Sequence, residues 1–185
     1  MAKTWLSVTV ELLGGGGQDL WPWPGRIFAV GPSHTFAQLA GAIDVAFARW
    51  DRAHLSMFTV ADGRVVTDPE LGGELAASPE APFAEPLDIG TAKVARTVES
   101  GEMFQYTFDY GDDWTHCCVV ADASIDPLEV LGARPPLPAP FWGATHEGTG
   151  SSPRICWRCC AMSRRPVVRC PSTSTRSSPC SIRTP

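Results

Sequence analysis

No stretch of this chain approaches the roughly 18 to 20 uninterrupted apolar residues of a membrane-spanning helix. Met1-Ala2-Lys3-Thr4-Trp5 runs straight into an alternating pattern with no apolar leader. A cytoplasmic protein without membrane contact is the expectation. Cysteine offers no disulfide framework, because the count of seven is odd and five of them follow position 150, so the expected compartment is reducing. Acidic residues are missing beyond Gly148, where seven arginines stand. All 20 Asp and Glu lie earlier, against eight Lys and Arg, which gives residues 1–147 a net charge near −12. That balance disfavours nucleic acid as a partner of the acidic part and leaves only the basic tail as a candidate arm for it. The run Gly14 to Gly17 lacks both the Lys-Ser/Thr ending of a phosphate loop and the spacing of a dinucleotide fingerprint. It is expected to be a flexible hairpin connection.

What the chain does hold is apolar. At 185 residues, with 44% hydrophobic content, seven Trp and eight Phe, it can build the core of one ordinary domain. Leu6, Val8, Val10 and Leu12 alternate with polar neighbours, the pattern of a strand with its aliphatic side inward. A rigid Trp21-Pro22-Trp23-Pro24-Gly25 segment leads to a second strand at Arg26 to Val30. Thr35 and Gln38 form a capping box that announces a helix. Phe36, Leu39, Ala40, Ile43, Phe47 and Trp50 follow as one apolar stripe about four turns long. Arg49, Asp51 and Arg52 should close that helix. His54 to Val60 predicts a third strand, with Arg64-Val65-Val66 pairing back across the turn at Asp62-Gly63. Asp68 to Leu87, without clear period, reads as a long solvated loop, and Thr91 to Val98 as a short helix or turn. The compact part should end near Pro127, with Pro135 to Pro140 extended as polyproline. The fold class expected is α+β, a mostly antiparallel sheet packed on one long helix in a single domain.

The richest stretch is Phe104 to His116. Phe104, Tyr106 and Phe108 alternate with Gln105, Thr107 and Asp109 as a half-buried strand, and Trp114 to Val120 resumes as another. Between them Gly111 can take a positive φ and an aspartate can bond nearby backbone, which predicts a hairpin turn. The turn would gather Asp109, Asp112, Asp113 and His116 at one end of a sheet. With His54 they form a candidate polar cluster, for which two chemistries compete. One is a divalent metal activating water for hydrolysis, if the two imidazoles meet. The other is structural, with aspartates capping the turn and each histidine bonded to a carboxylate or carbonyl. Cys117 and Cys118 alternate faces, so one should be buried and inert, and the other lacks an evident activating partner. Tyr110 and Trp114, with Trp21 and Trp23, form a candidate aromatic surface suited to a protein partner. No cofactor other than that divalent metal is implied.

The ordering of the strand pair, the helix ending at Trp50, the Arg52 to Phe58 segment, and above all Phe104-x-Tyr106-x-Phe108-Asp109-Tyr110-Gly111-Asp112-x-Trp114-x-His116 resembles the plasmid pRiA4b ORF-3-like family, from about residue 4 to 142. The resemblance implies an α+β domain found on plasmids, insertion elements and bacterial chromosomes, without an established activity, and an accessory or interaction role. Some members bear names suggesting recombination, but this chain has neither the serine setting of a serine resolvase nor a basic helix-turn-helix. Where the family carries Trp-Arg-Arg, the chain has Trp23-Pro24-Gly25-Arg26. The family pattern stops at Gly143, which sets the expected domain at 1–143 and a disordered basic tail at 144–185. Cys156, Cys159, Cys160, Cys170 and Cys180 in that tail have poor spacing for zinc, and its composition resembles a GC-rich gene read in a shifted frame.

Overall fold

The computed structural model describes residues 4–49, 51, 53–77 and 85–141. The fold is α+β, built on a large and mostly antiparallel sheet with few helices. The first strand, β1 (Leu6–Gly15), pairs with β3 (Gly25–Val30) on one side and β8 (Trp114–Val120) on the other. It also forms a small hairpin with β2 (Gln18–Asp19). Strands β4 (Ser56–Thr59), β5 (Val65–Thr67) and β7 (Met103–Phe108) extend the sheet beyond β8. The outer strands are β6 (Leu87–Asp88) and β9 (Ala139–Phe141), in the order β6-β5-β4-β7-β8-β1-β3-β9. Among the described residues only the β5–β6 pair is parallel.

One face of this sheet carries the core. Period-two alternation puts Val8 and Val10, Phe28 and Val30, Phe58, Phe104 and Tyr106, and Cys118 and Val120 on the same side. Helix α1 (Phe36–Ala46) lays Phe36, Leu39, Ala40 and Ile43 onto them. Its capping box forms as expected, with Gln38 N–H donating to Thr35 Oγ1 at 3.2 Å and Thr35 N–H to Gln38 Oε1 at 2.9 Å. The Phe36 and Phe58 rings, 4.9 Å apart, tie helix to sheet.

Several expectations need correction. The helix spans 11 residues and stops at Ala46, because Phe47 caps it and Ala48 adopts a left-handed φ of 57°. Arg49 therefore lies beyond the helix, and Trp50 and Arg52 fall outside the described residues. Part of the expected loop after Asp68 is helix α2 (Pro69–Ala77). Asp68 starts it by accepting from Glu70 N–H at 2.9 Å, with Pro69 at the first helical position, where its missing N–H costs nothing. The short helix expected near Thr91 is α3 (Val94–Thr97). Pro127 does not end the compact part. It opens α4 (Pro127–Leu131), capped by Asp126, and the chain returns as β9 against β3. Pro140 belongs to that edge strand rather than to a polyproline run, a position where a missing donor is tolerated. The expectations for residues 144–185 lie outside the described residues.

Candidate functional site

One end of the sheet collects the chemistry. The C-terminal ends of β1 and β7 and the N-terminal ends of β4 and β8 meet there, and α1 with the residues just after it delivers Asp44, Phe47 and Arg49 to the same end. The β1–β2 turn docks onto the β7–β8 turn through Gly16 N–H donating to the Asp112 carbonyl.

The turn itself differs from the expected one. Asp109 and Asp113, not Gly111, hold the positive φ values, 58° and 51°. Aspartate tolerates this region because its short side chain bonds locally. Asp109 Oδ1 accepts from Gly111 N–H at 2.9 Å, and Asp113 N–H donates to the Asp109 carbonyl at 2.6 Å. Gly111 serves close approach instead, since a Cβ there would stand 3.2 Å from Asp109 Oδ1. Asp113 receives the Thr115 hydroxyl, so it too acts as a turn residue.

The five members of the polar cluster separate into three groups. His54 lies between two carboxylates, with Nε2 3.3 Å from Asp51 and Nδ1 3.4 Å from Asp109, its ring against Phe108. Asp112 and Asp113 line a shallow groove with Gly14, Gly15, Gln18 and Asp19. His116 belongs to neither group. It is fully buried between the rings of Phe47 and Tyr106, at 5.1 and 5.3 Å, and its Nδ1 faces the Tyr106 carbonyl at 3.3 Å. Burial, reinforced by the Arg49 charge, pushes its pKa down to about 4, so it is neutral near pH 7. The two imidazoles thus sit in different surroundings, and among the described residues no three His, Cys, Asp or Glu side chains converge on a metal position. Cys117 and Cys118 are both buried, where one was expected to be, and burial raises the Cys118 thiol well above its ordinary pKa.

Around His116 the structure assembles a network that sequence reasoning missed. Tyr106, also fully buried, donates its hydroxyl to Asp44 Oδ1 at 2.9 Å. Burial first, then the Asp44 charge, raises the tyrosine pKa. Arg49 lies over two aromatic rings, its Cζ 4.4 Å from the Trp114 centroid and 5.4 Å from that of Phe108. Trp114 in turn lies on Gly15, where any Cβ would collide with it. Arg49 Nε and Nη2 and His116 Nε2 are buried without a hydrogen-bond partner among the described residues. The available signal was Asp44, four residues after Ala40 and hence on the apolar stripe of α1.

Of the four candidate surface aromatics, Trp21 is 80% exposed and Tyr110 40%. Trp23 is half-buried in an edge contact with Trp21 at 5.0 Å, across a cis Trp21-Pro22 bond, and Trp114 is turned inward onto Arg49.

Comparison with known proteins places this arrangement. Residues 13–135 match the model of the family described as plasmid pRiA4b ORF-3-like protein. The chain belongs to that family. The matched region holds both the polar turn and the buried network, so the geometry above is that of a pRiA4b ORF-3-like domain. Comparison with curated proteins gives no match. A similar solved structure is the crystal structure of a protein of unknown function, MM3350, from Methanosarcina mazei Go1, with a TM-score of 0.53 at 17% identity. The likeness covers 74% of this chain and 68% of that one, and it shows a shared fold.

Proposed function

We propose that this pRiA4b ORF-3-like domain is an interaction module whose sheet end, bearing Trp21, Leu55 and Tyr110 among acidic side chains, receives a cationic polypeptide segment with an apolar anchor. The exposure of Trp21 carries the reading. Leaving a tryptophan 80% open to water forgoes burial of one of the largest apolar side chains, and interfaces recover that energy at a few aromatic anchors. Leu55 is 51% exposed at the same end. Asp19, Asp112 and Asp113 line a groove at this sheet end and Asp51 lies beside His54, and the net charge near −12 over residues 1–147 favours a positive partner. We place this role in the cytoplasm and read it as accessory to plasmids or transposable elements, for which the family description offers only the name of a plasmid.

Metal-dependent hydrolysis by His54, Asp109, Asp112, Asp113 and His116 has weaker support, because it would require His116 to leave an enclosure of aromatic rings. Nucleic-acid binding through residues 144–185 concerns a segment outside the described residues.

The test is a fluorescence-anisotropy titration with two synthetic peptides that share one Trp or Leu anchor and differ in carrying Lys and Arg or Asp and Glu. Preferential, salt-sensitive binding of the cationic peptide is expected, weakened about tenfold in Trp21→Ala, the order of one lost aromatic anchor. Equal binding of both peptides, or undiminished binding by Trp21→Ala, refutes the reading.

A further inference from the structure

We propose that His34 is an acid-sensitive latch, which holds the α4–β9 return of the chain, residues 126–141, against the border of the sheet and releases it when the imidazole takes up a second ring proton. The residue stands at the end of the sheet opposite the acidic turn, where β1 begins and β3 ends. Four segments meet on it. Its Nδ1 accepts from Gly31 N–H at 3.0 Å, and its ring meets that of Trp5 edge-on at 5.1 Å. Its carbonyl accepts from Val94 N–H at 3.0 Å, and its side chain bonds the Pro135 carbonyl in the loop between α4 and β9. The residue is only 3% exposed.

This geometry fixes the tautomer. An Nδ1 that accepts carries no proton, so Nε2–H is the donor to Pro135. A second proton would sit on Nδ1, where two donors would face each other across 3.0 Å beside a buried charge. Charged residues on the segments around the ring are Lys93 and Arg134, both cations, with Asp126 at the root of α4. Of these Lys93 acts on the ring, and it opposes a second proton as burial does. The ring reaches water by parting from Trp5 or from Pro135, and the Pro135 side is the weaker. Trp5 runs straight into β1 at the heart of the sheet and holds Ile125 through an N–H donated to its carbonyl at 2.9 Å. Beyond Ile125, α4 has five residues and β9 three, with Pro140 lacking an N–H. Release of this strap is therefore a local opening that leaves the central strands paired. Once open, His34 titrates near the ordinary 6.5, whereas closed it titrates lower, through burial and, less strongly, Lys93. The open form thus gains as pH falls below about 6.5, by up to about tenfold per pH unit until the closed form titrates as well.

The experiment follows hydrogen–deuterium exchange of the full chain by mass spectrometry from pH 7 to 5, corrected for the intrinsic pH dependence of amide exchange. This window lies above the ordinary carboxylate range, so Asp126 keeps its charge throughout. Peptides within 126–141 should exchange faster than those of β7 and β8 at every pH and should lose protection on acidification by up to about tenfold per unit. His34→Asn, which keeps an acceptor for Gly31 N–H but takes up no proton, should remove that dependence, and His116→Gln should leave it. Lys93→Glu, which sets an attracting charge beside the ring, should reduce it. A strap whose protection holds from pH 7 to 5, or that exchanges at the rate of the central strands, overturns the proposal. So does a pH dependence that survives in His34→Asn or, should that variant not fold, is unchanged in Lys93→Glu.

Discussion

Gly15→Ala adds one methyl group to a strand, and the structure predicts an unusually large penalty for it. The new Cβ would lie 2.8 Å from Trp114 Cγ and closer still to Cδ2 and Cε3, so the indole must move. Gly15 is not in the left-handed region, so the backbone accepts alanine and the whole cost falls on packing. Overpacking of this kind costs about 1–3 kcal/mol. Moving the indole off Arg49 forfeits a partly desolvated cation–π contact of about 1 kcal/mol. Together they suggest about 3 kcal/mol, measured by urea denaturation, a shift of the melting temperature on the order of 6–12 °C. The decisive form is a double-mutant cycle. With Trp114→Ala in place the three atoms nearest the new methyl group are gone, and Gly15→Ala should become neutral or slightly stabilising, since alanine restrains the unfolded chain more than glycine. Gly17→Ala is the control: its φ is 75° and nothing lies within 4 Å of its Cβ, so it should cost about 1–2 kcal/mol with or without Trp114. A wild-type-like Gly15→Ala, or a penalty that survives in Trp114→Ala, would show that the indole does not rest where described.

Tyr106→Phe removes the hydroxyl donated to Asp44 from a fully buried position and should destabilise by about 2 kcal/mol in urea, while Phe108→Tyr at the neighbouring position should not compensate. His116 titrates lower folded than unfolded, so its contribution is complete above pH 6.5 and disappears as pH falls towards 4. The shift amounts to about 3 kcal/mol, and His116→Gln should flatten the curve of unfolding free energy against pH in that window. His34, also lowered mainly by burial, adds a slope of the same sign that His116→Gln leaves intact. Trp21→Ala should leave stability within about 0.5 kcal/mol of wild type, because its side chain is mostly in water, so any loss of peptide binding reflects the surface. His54→Ala should cost under about 1 kcal/mol, as expected of a half-exposed ion pair.

Periodicity made much of this fold legible. Alternation in β1, β3, β7 and β8 and the stripe from Phe36 to Ile43 identify the inward side chains, since sheet and helix each repeat apolar residues with their own period. The failures share a cause. Helix α2, the end of α1 and the return of β9 depend on a capping aspartate, a left-handed alanine and a partner strand distant in sequence, none of which a hydrophobic pattern records. At the candidate site the sequence identified the turn but not the division of labour within it. His54 and Asp109 do approach each other, whereas His116 lies on the core side because Leu12 and Tyr106 are its register partners on either side. Its separation of two residues from Trp114 already put both on one face, and only the strand pairing showed that this face looks inward.

The two outermost strands limit how copies of this domain can associate. β6 contributes two residues and β9 three, and the middle residue of β9 is Pro140, which has no N–H to give. A tenth strand added at either border would gain few backbone bonds, so the wide sheet is poorly suited to growth by lateral addition. Among the described residues the nine-stranded sheet thus ends in two borders that give templated polymerisation little backbone to copy.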